Sequence, residues 1–159
     1  MFFGCYEHSL DGKNRVVLPL GLRRPLSDDQ IRRGFVLATG PRKRYLMLFP
    51  LDEWPRYEKE LRESFDMNEE EAEDYLIQIY ASGNFVEVDK QYRFAIPEAS
   101  RKAVGIQRDV CFVGMGDRVL VWAKERYDEW RESQRDRMVP PGQKKRSPSE
   151  TPAASPPSG

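Results

Sequence analysis

Apolar and polar positions along this chain follow one pattern twice. Residues 5 to 10 and 85 to 88 alternate in character, and each stretch runs into a polar turn, DGKNR or DKQYR. A second short segment follows, Val16 to Leu18 or Phe94 to Ile96, and each stops at a proline, Pro19 or Pro97. Alternation with period two over such short runs predicts β-strands. Proline has no N–H for a central ladder, so Pro19 and Pro97 are predicted strand ends leading into short helical turns. Two apolar segments come next in each copy, Phe35 to Thr39 with Tyr45 to Phe49, and Val110 to Val113 with Val119 to Trp122. The intervening GPRK and GMGD carry the glycines that tight hairpins need.

Beyond the strands the period changes. Leu51, Trp54, Tyr57, Leu61 and Phe65 recur at three- and four-residue steps, which predicts a helix with one apolar stripe. A second helix is predicted to open at Asn68, with Glu71 three residues on as a variant capping box. Its stripe is Ala72, Tyr75, Leu76, Ile79 and Tyr80. The second copy ends in one helix over about residues 124 to 138, with Tyr127 and Trp130 predicted inward. From Pro140 onward prolines and serines dominate, with one basic cluster of Lys144, Lys145 and Arg146. That composition cannot build a core and predicts a disordered tail.

The two copies align residue by residue. At one constant offset Asp11 meets Asp89, Lys13 meets Gln91, Arg15 meets Arg93, Pro19 meets Pro97 and Arg23 meets Arg101. Further on Val36 meets Val110, Gly40 meets Gly114 and Arg44 meets Arg118, the offset having fallen because only the first copy contains SDDQ. The chain is therefore expected to hold a first repeat with helical extension over 1–82, a second over 83–138 and a tail over 139–159. The fold class expected is mainly β with helices, α+β.

Charge and cysteine content narrow the function. The 159 residues carry 26 basic and 26 acidic side chains, so the total favours no polyanion. The distribution is uneven: residues 52 to 74 are strongly acidic, whereas 5 to 24 are net basic through Lys13, Arg15, Arg23 and Arg24. A polyanion would be steered by that local field. The two cysteines, Cys5 and Cys111, have no partner at metal-ligand spacing, which predicts a reducing compartment and no metal site. The opening MFFGCYEHSL lacks the marks of a signal peptide, and no apolar run approaches a membrane span. A cytoplasmic protein is expected, without a cofactor or small-molecule substrate.

The candidate chemistry lies in the two turns. A carboxylate and a guanidinium four residues apart can form a structural ion pair that contributes little to stability at a surface. Occurring twice, each time with a lysine, such turns place a set of cations on one edge. An arginine held by a neighbouring aspartate is also pre-oriented for bidentate contact with a guanine edge or a phosphate. Asp11 and Asp89 are the expected organisers. Arg15, Lys13, Asn14, Arg93 and Lys90 are the expected DNA contacts.

With these turns, MFFGCYEHSLDGKNRVVLP and GNFVEVDKQYRFAIP resemble the MraZ family, whose two tandem SpoVT-AbrB-type units each carry an Asp-x-x-x-Arg signature. The resemblance covers about residues 1 to 138. It implies two swapped-hairpin β units forming a pseudo-two-fold barrel core, assembly into a homo-oligomeric ring, and binding to short direct repeats in double-stranded DNA. It further implies transcriptional control of the operon for cell division and cell-wall synthesis, and association with the nucleoid. The family usually has glycine before the signature arginine, where this chain has Asn14 and Tyr92. Asparagine tolerates a left-handed backbone and tyrosine does so poorly, so the second turn either differs in shape or is strained.

Other readings compete. One copy of the signature would also fit an AbrB- or MazE-like antitoxin that wraps a toxin partner with its tail, but here the second β unit is already encoded. His8, Ser9 and Asp11 sit too close along one strand and turn to form a catalytic triad, which is defined by geometry. Cys5 and Cys111 are expected to be buried small apolar residues. The acidic run from Glu69 to Glu73 lacks calcium-ligand spacing and reads as a solvated helix face. Trp54, Tyr57, Trp122 and Trp130 are expected in the core or a subunit interface. No phosphate-binding glycine loop and no nucleophile elbow occurs, so no enzymatic activity is expected.

Overall fold

In the computed structural model, which describes residues 1–142, the strands of the two copies are interleaved. The first copy supplies β1 (Cys5–Ser9), β2 (Arg15–Val17), β3 (Phe35–Thr39) and β4 (Leu46–Pro50); the second supplies β5 (Asn84–Val86), β6 (Arg93–Ala95), β7 (Asp109–Gly114) and β8 (Val119–Ala123). Six of them form one antiparallel sheet in the order β1-β7-β8-β4-β3-β5. β1 of the first copy pairs with β7 of the second, and β5 of the second pairs with β3 of the first. The copies also meet at β4–β8, and again where β2 and β6 form a separate two-stranded ribbon. This is a swapped arrangement with a pseudo-two-fold relation between the copies, as the family resemblance implies.

The class is α+β, as expected, with 39% of the described residues helical and 26% in strands. A closed barrel does not form among the described residues. Instead β1 and β5 are the ends of an open sheet, and the ribbon packs on its face. The physical reason is the length of the ribbon strands. Each has three residues, cut off by an Asp turn on one side and by Pro19 or Pro97 on the other, too few to bridge the sheet edges.

The sheet is buried on both faces at its centre, which explains the unbroken apolar runs in β4 and β8. Leu46, Leu48, Phe112, Val119 and Val121 face the ribbon and join Val16, Leu18, Phe94 and Ile96 in the larger core. Met47, Phe49, Cys111, Leu120 and Trp122 face the other way, against Tyr57, Trp54 and Leu61 of α3 (Trp54–Glu63). Three layers result: the ribbon with its flanking helices, the sheet, and α3.

The short helices after the prolines are α1 (Leu20–Arg23) and, in the second copy, a helix over Glu98–Val104. SDDQ, present only in the first copy, starts α2 (Asp28–Arg33) with a full capping box: the Ser27 side chain accepts from the Gln30 N–H, and the Gln30 side chain accepts from the Ser27 N–H. The box expected at Asn68 is absent. There the Asn68 N–H donates to Asp66, and α4 (Glu70–Ser82) starts two residues later without a side-chain cap. In α4, Ala72, Leu76 and Ile79 are buried as expected, whereas Tyr80 is exposed. Counting in chain order, the helix Glu98–Val104 is α5, and α6 runs Lys124–Ser133.

Residues 1–127 form one compact unit, and a second begins at Asp128. Tyr127 packs on Trp122 within the first unit. Trp130, expected inward, is exposed. Cys5 is also exposed, because the outward residues of the edge strand β1 are its odd-numbered ones, while Cys111 is buried as expected. Among the described residues no helix is long and apolar enough to cross a membrane. Lys144, Lys145, Arg146 and most of the expected tail lie outside the described residues.

Phe112 is fully buried where ribbon meets sheet, edge-on to Phe94 at 6.3 Å and to His8 at 6.0 Å between ring centroids. Phe112→Ala is expected to lower unfolding free energy by about 3–5 kcal/mol, read by urea denaturation. A drop under about 1 kcal/mol would mean that the ribbon is not seated on the sheet.

Candidate nucleic-acid interface

Each Asp turn is built by one carboxylate. Asp11 Oδ1 accepts the N–H of Lys13 at 2.8 Å and of Arg15 at 2.9 Å, and Oδ2 accepts Arg15 Nε at 2.8 Å. Asp89 repeats this with Gln91 N–H at 2.8 Å, Arg93 N–H at 2.9 Å and Arg93 Nε at 2.9 Å. The backbone closes both turns alike, Asn14 N–H to Asp11 carbonyl at 3.0 Å and Tyr92 N–H to Asp89 carbonyl at 2.9 Å. Asn14 and Tyr92 both take a left-handed backbone, at φ 60° and 61°. The second turn therefore has the shape of the first, and Tyr92 is held in a conformation that disfavours its side chain.

The ribbon register decides where the arginines point. Arg15 pairs with Ala95, Val16 with Phe94, and Val17 with Arg93. Val16 and Phe94 are 1% exposed and face the sheet. Alternation then places Arg15, Val17, Arg93 and Ala95 together on the outer face. Two residues along one strand and one strand across separate the two arginine Cα atoms, about 8 Å. Their side chains are equally accessible, 29% for Arg15 and 28% for Arg93. With Nε engaged by aspartate, the two terminal nitrogens of each guanidinium meet no acceptor among the described residues.

The lysines are less symmetric. Lys13 and Lys90 are exposed in the turns at opposite ends of the ribbon, but Lys13 aligns with Gln91 and Lys90 with Gly12. Asn14 faces outward least: it is half-buried, and its carbonyl accepts the Ile96 N–H at 3.1 Å. The Tyr92 carbonyl does the same for Leu18 at 2.7 Å. One contact at this face has no signal in the sequence. Arg23 of α1 lies over the Tyr92 ring, its Cζ 3.9 Å from the centroid, and no periodicity marks a contact between copies.

The residues that suggested a triad are otherwise engaged. Ser9 Oγ donates to Asp109 at 2.6 Å, Asp11 holds Arg15, and His8 packs edge-on against Phe112. Burial, then the nearby Arg23 charge, pushes the His8 pKa down. Among the described residues no group of His, Cys, Asp and Glu is placed to hold a metal ion.

Known proteins are similar to this chain along most of its length. The model of a family described as "MraZ protein, putative antitoxin-like" matches residues 1–76 and 79–140. This chain belongs to the MraZ family. The transcriptional regulator MraZ of Clostridium beijerinckii is 35% identical over 136 residues, 86% of this chain and 91% of that protein. Those of Acetivibrio thermocellus and Caldanaerobacter subterraneus subsp. tengcongensis are 34% and 35% identical, over 82% and 84% of this chain and 86% and 88% of their own. Within this MraZ fold, both Asp turns fall inside the matched segments.

The turns have a pH signature. The Arg15 N–H, then the Lys13 N–H and the Arg15 side chain, hold the Asp11 carboxyl below its ordinary 3.8; the Arg93 N–H leads the same effect at Asp89. A depressed carboxylate pKa stabilises the folded turn above the ordinary value, and that contribution disappears as pH falls through the lowered one. Carboxyl carbon NMR is expected to show both residues titrating below 3.8, with both turns intact at neutral pH. A midpoint at or above 3.8 for either residue would show that its brace does not form in solution.

Proposed function

We propose that this chain is a sequence-specific DNA-binding transcriptional regulator whose reading head is the outer face of the β2–β6 ribbon. The observation that carries the reading is the pair of aspartate-braced arginines, side by side on one exposed face. A two-stranded ribbon fits the major groove of B-DNA, and arginine is the usual bidentate partner of guanine. Two arginines about 8 Å apart span roughly two base steps of 3.4 Å. Val17 and Ala95 share that face and offer apolar contact to a thymine methyl. Lys13 and Lys90, at the two ends, contact phosphates. Asp11 and Asp89 organise and do not touch DNA, and Asn14 shapes its turn.

The names of the relatives, transcriptional regulator MraZ, support this reading over the antitoxin one. The same reading makes residues 1–82 and 83–138 two units of one DNA-binding body with 139–159 appended. It places the protein in the cytoplasm on the nucleoid, at short direct repeats upstream of the cell division and cell-wall operon, with no enzymatic role. Assembly into a ring is supported by two open sheet edges, β1 and β5, and by the large exposed side chains Phe3 and Phe85. Unpaired edges and exposed apolar residues on a chain with two quasi-equivalent ends favour head-to-tail contacts.

Binding to duplex DNA from upstream of its own coding sequence tests the reading. Arg15→Ala and Arg93→Ala should each cost ~1–3 kcal/mol per engaged subunit and relax preference at one position. The effects should be similar, since the two turns share one geometry. Lys13→Ala should weaken all sequences alike and reduce the salt slope by about 0.9 for each phosphate no longer neutralised. Wild-type affinity in both arginine variants would reduce the turns to structural ion pairs.

Assembly is tested separately. Sedimentation should show a homo-oligomer larger than a dimer, and Phe85→Glu should shift it toward smaller species. A wild-type chain that stays monomeric at micromolar concentration would exclude the ring.

A further inference from the structure

We infer that Arg23 is a positioning residue for the second DNA-reading turn, acting through Tyr92; this rests on the DNA-binding reading above. Tyr92 occupies a left-handed position at φ 61°, where a tyrosine is disfavoured. Yet the turn around it keeps the hydrogen bonds of its counterpart at Asn14, to within about a tenth of an ångström. Something must offset the disfavoured backbone. The structure places the Arg23 guanidinium 3.9 Å from the Tyr92 ring centroid, well inside the range of a cation–π contact.

Arg23 is itself suited to that task. It sits on α1 with its Nε buried and without a hydrogen-bond partner, so the ring face is the close neighbour of its guanidinium. The segment leading into α1 reaches the turn a second time, because the Leu18 N–H donates to the Tyr92 carbonyl at 2.7 Å. Ring and carbonyl of Tyr92 are thus both held by the first copy. Its N–H closes the turn on Asp89, and the next residue is Arg93. Fixing Tyr92 therefore fixes the base of the Arg93 side chain.

The other side of the pseudo-two-fold lacks this clasp. Arg101, the counterpart of Arg23, donates Nη1 to the Ile96 carbonyl at 2.6 Å within its own copy. Its would-be partner is Asn14, which tolerates the left-handed backbone unaided. Arg23 and Arg101 look equivalent in sequence but do different things: one holds the opposite copy's turn, and the other caps its own strand end.

The test is a double-mutant cycle on the full chain with Arg23→Ala, Tyr92→Gly and both, read in two ways. The first is amide hydrogen exchange without DNA. Arg23→Ala should speed exchange at Gln91 and Arg93 several-fold and leave Lys13 and Arg15 unchanged. Against Tyr92→Gly, where glycine adopts the turn freely, it should have no further effect. The second is affinity for duplex DNA from upstream of the coding sequence. Arg23→Ala should weaken it by roughly three- to thirtyfold, the range of a cation–π partner, and by less than about twofold when Tyr92 is glycine. Arg23→Lys, which keeps the charge and folds more safely, should fall between wild type and alanine in both readouts. Unchanged exchange at Gln91 and Arg93 in Arg23→Ala would overturn the inference whatever DNA binding does. Equal weakening in both backgrounds, with a smaller salt slope, would overturn it too, by making Arg23 a phosphate contact. Failure of the DNA-binding reading is recognised separately, by wild-type affinity in Arg15→Ala and Arg93→Ala, and leaves the exchange result to stand on its own.

Discussion

Everything in this molecule depends on the exchange of strands between its two copies. Among the described residues β1 has a strand partner only in β7, and β5 only in β3, so each copy is completed by the other. The exchange also brings β4 beside β8 at the middle of the sheet, where both faces are covered and both strands are apolar throughout. An unpaired β7 or β3 edge would leave a row of backbone groups without partners, and burying those groups unpaired is unfavourable. Duplication in one chain meets that requirement without a second molecule.

The ribbon is a by-product of the same exchange, and it makes the candidate site. β2 and β6 are too short to stand alone, and they are held because Val16, Leu18, Phe94 and Ile96 insert into the core. Once those residues face inward, Arg15 and Arg93 must face outward, since neighbours on a strand point to opposite sides. The aspartates then complete the geometry. One carboxylate takes two backbone N–H groups and one Nε, which shapes the turn and aims the guanidinium together.

The layers also separate the charges. The whole chain is neutral, yet α3, in the most acidic stretch, lies across the sheet from the ribbon. The acidic side chains of α3 are thereby kept off the arginine face. Pseudo-symmetry is broken on that surface at Lys13 against Gln91, Lys90 against Gly12, Val17 against Ala95, and Tyr92 with Arg23 against Asn14. Each chain therefore presents a ribbon face with a direction.

Short-range patterns are legible in the amino-acid sequence because their physics is local. Alternation marks β1 and an apolar run marks β3 nearly to the residue, Pro19 and Pro97 mark where strands give way to helices, and the duplicated Asp-x-x-x-Arg marks both turns. The Ser27–Gln30 cap obeys an equally local rule, since its S-x-x-Q spacing is the signal, while Asn68 promises a cap that the Asp66 turn displaces. What the amino-acid order leaves open is every relation between the copies. Trp130 and Cys5 lie outward against expectation because burial depends on which distant segment covers a face. The register of β2 on β6 places Arg15 and Arg93 on one face, and the Arg23–Tyr92 stack spans the copies. Both are set by how buried side chains from distant segments fit together, a long-range packing energy that no single stretch of chain contains.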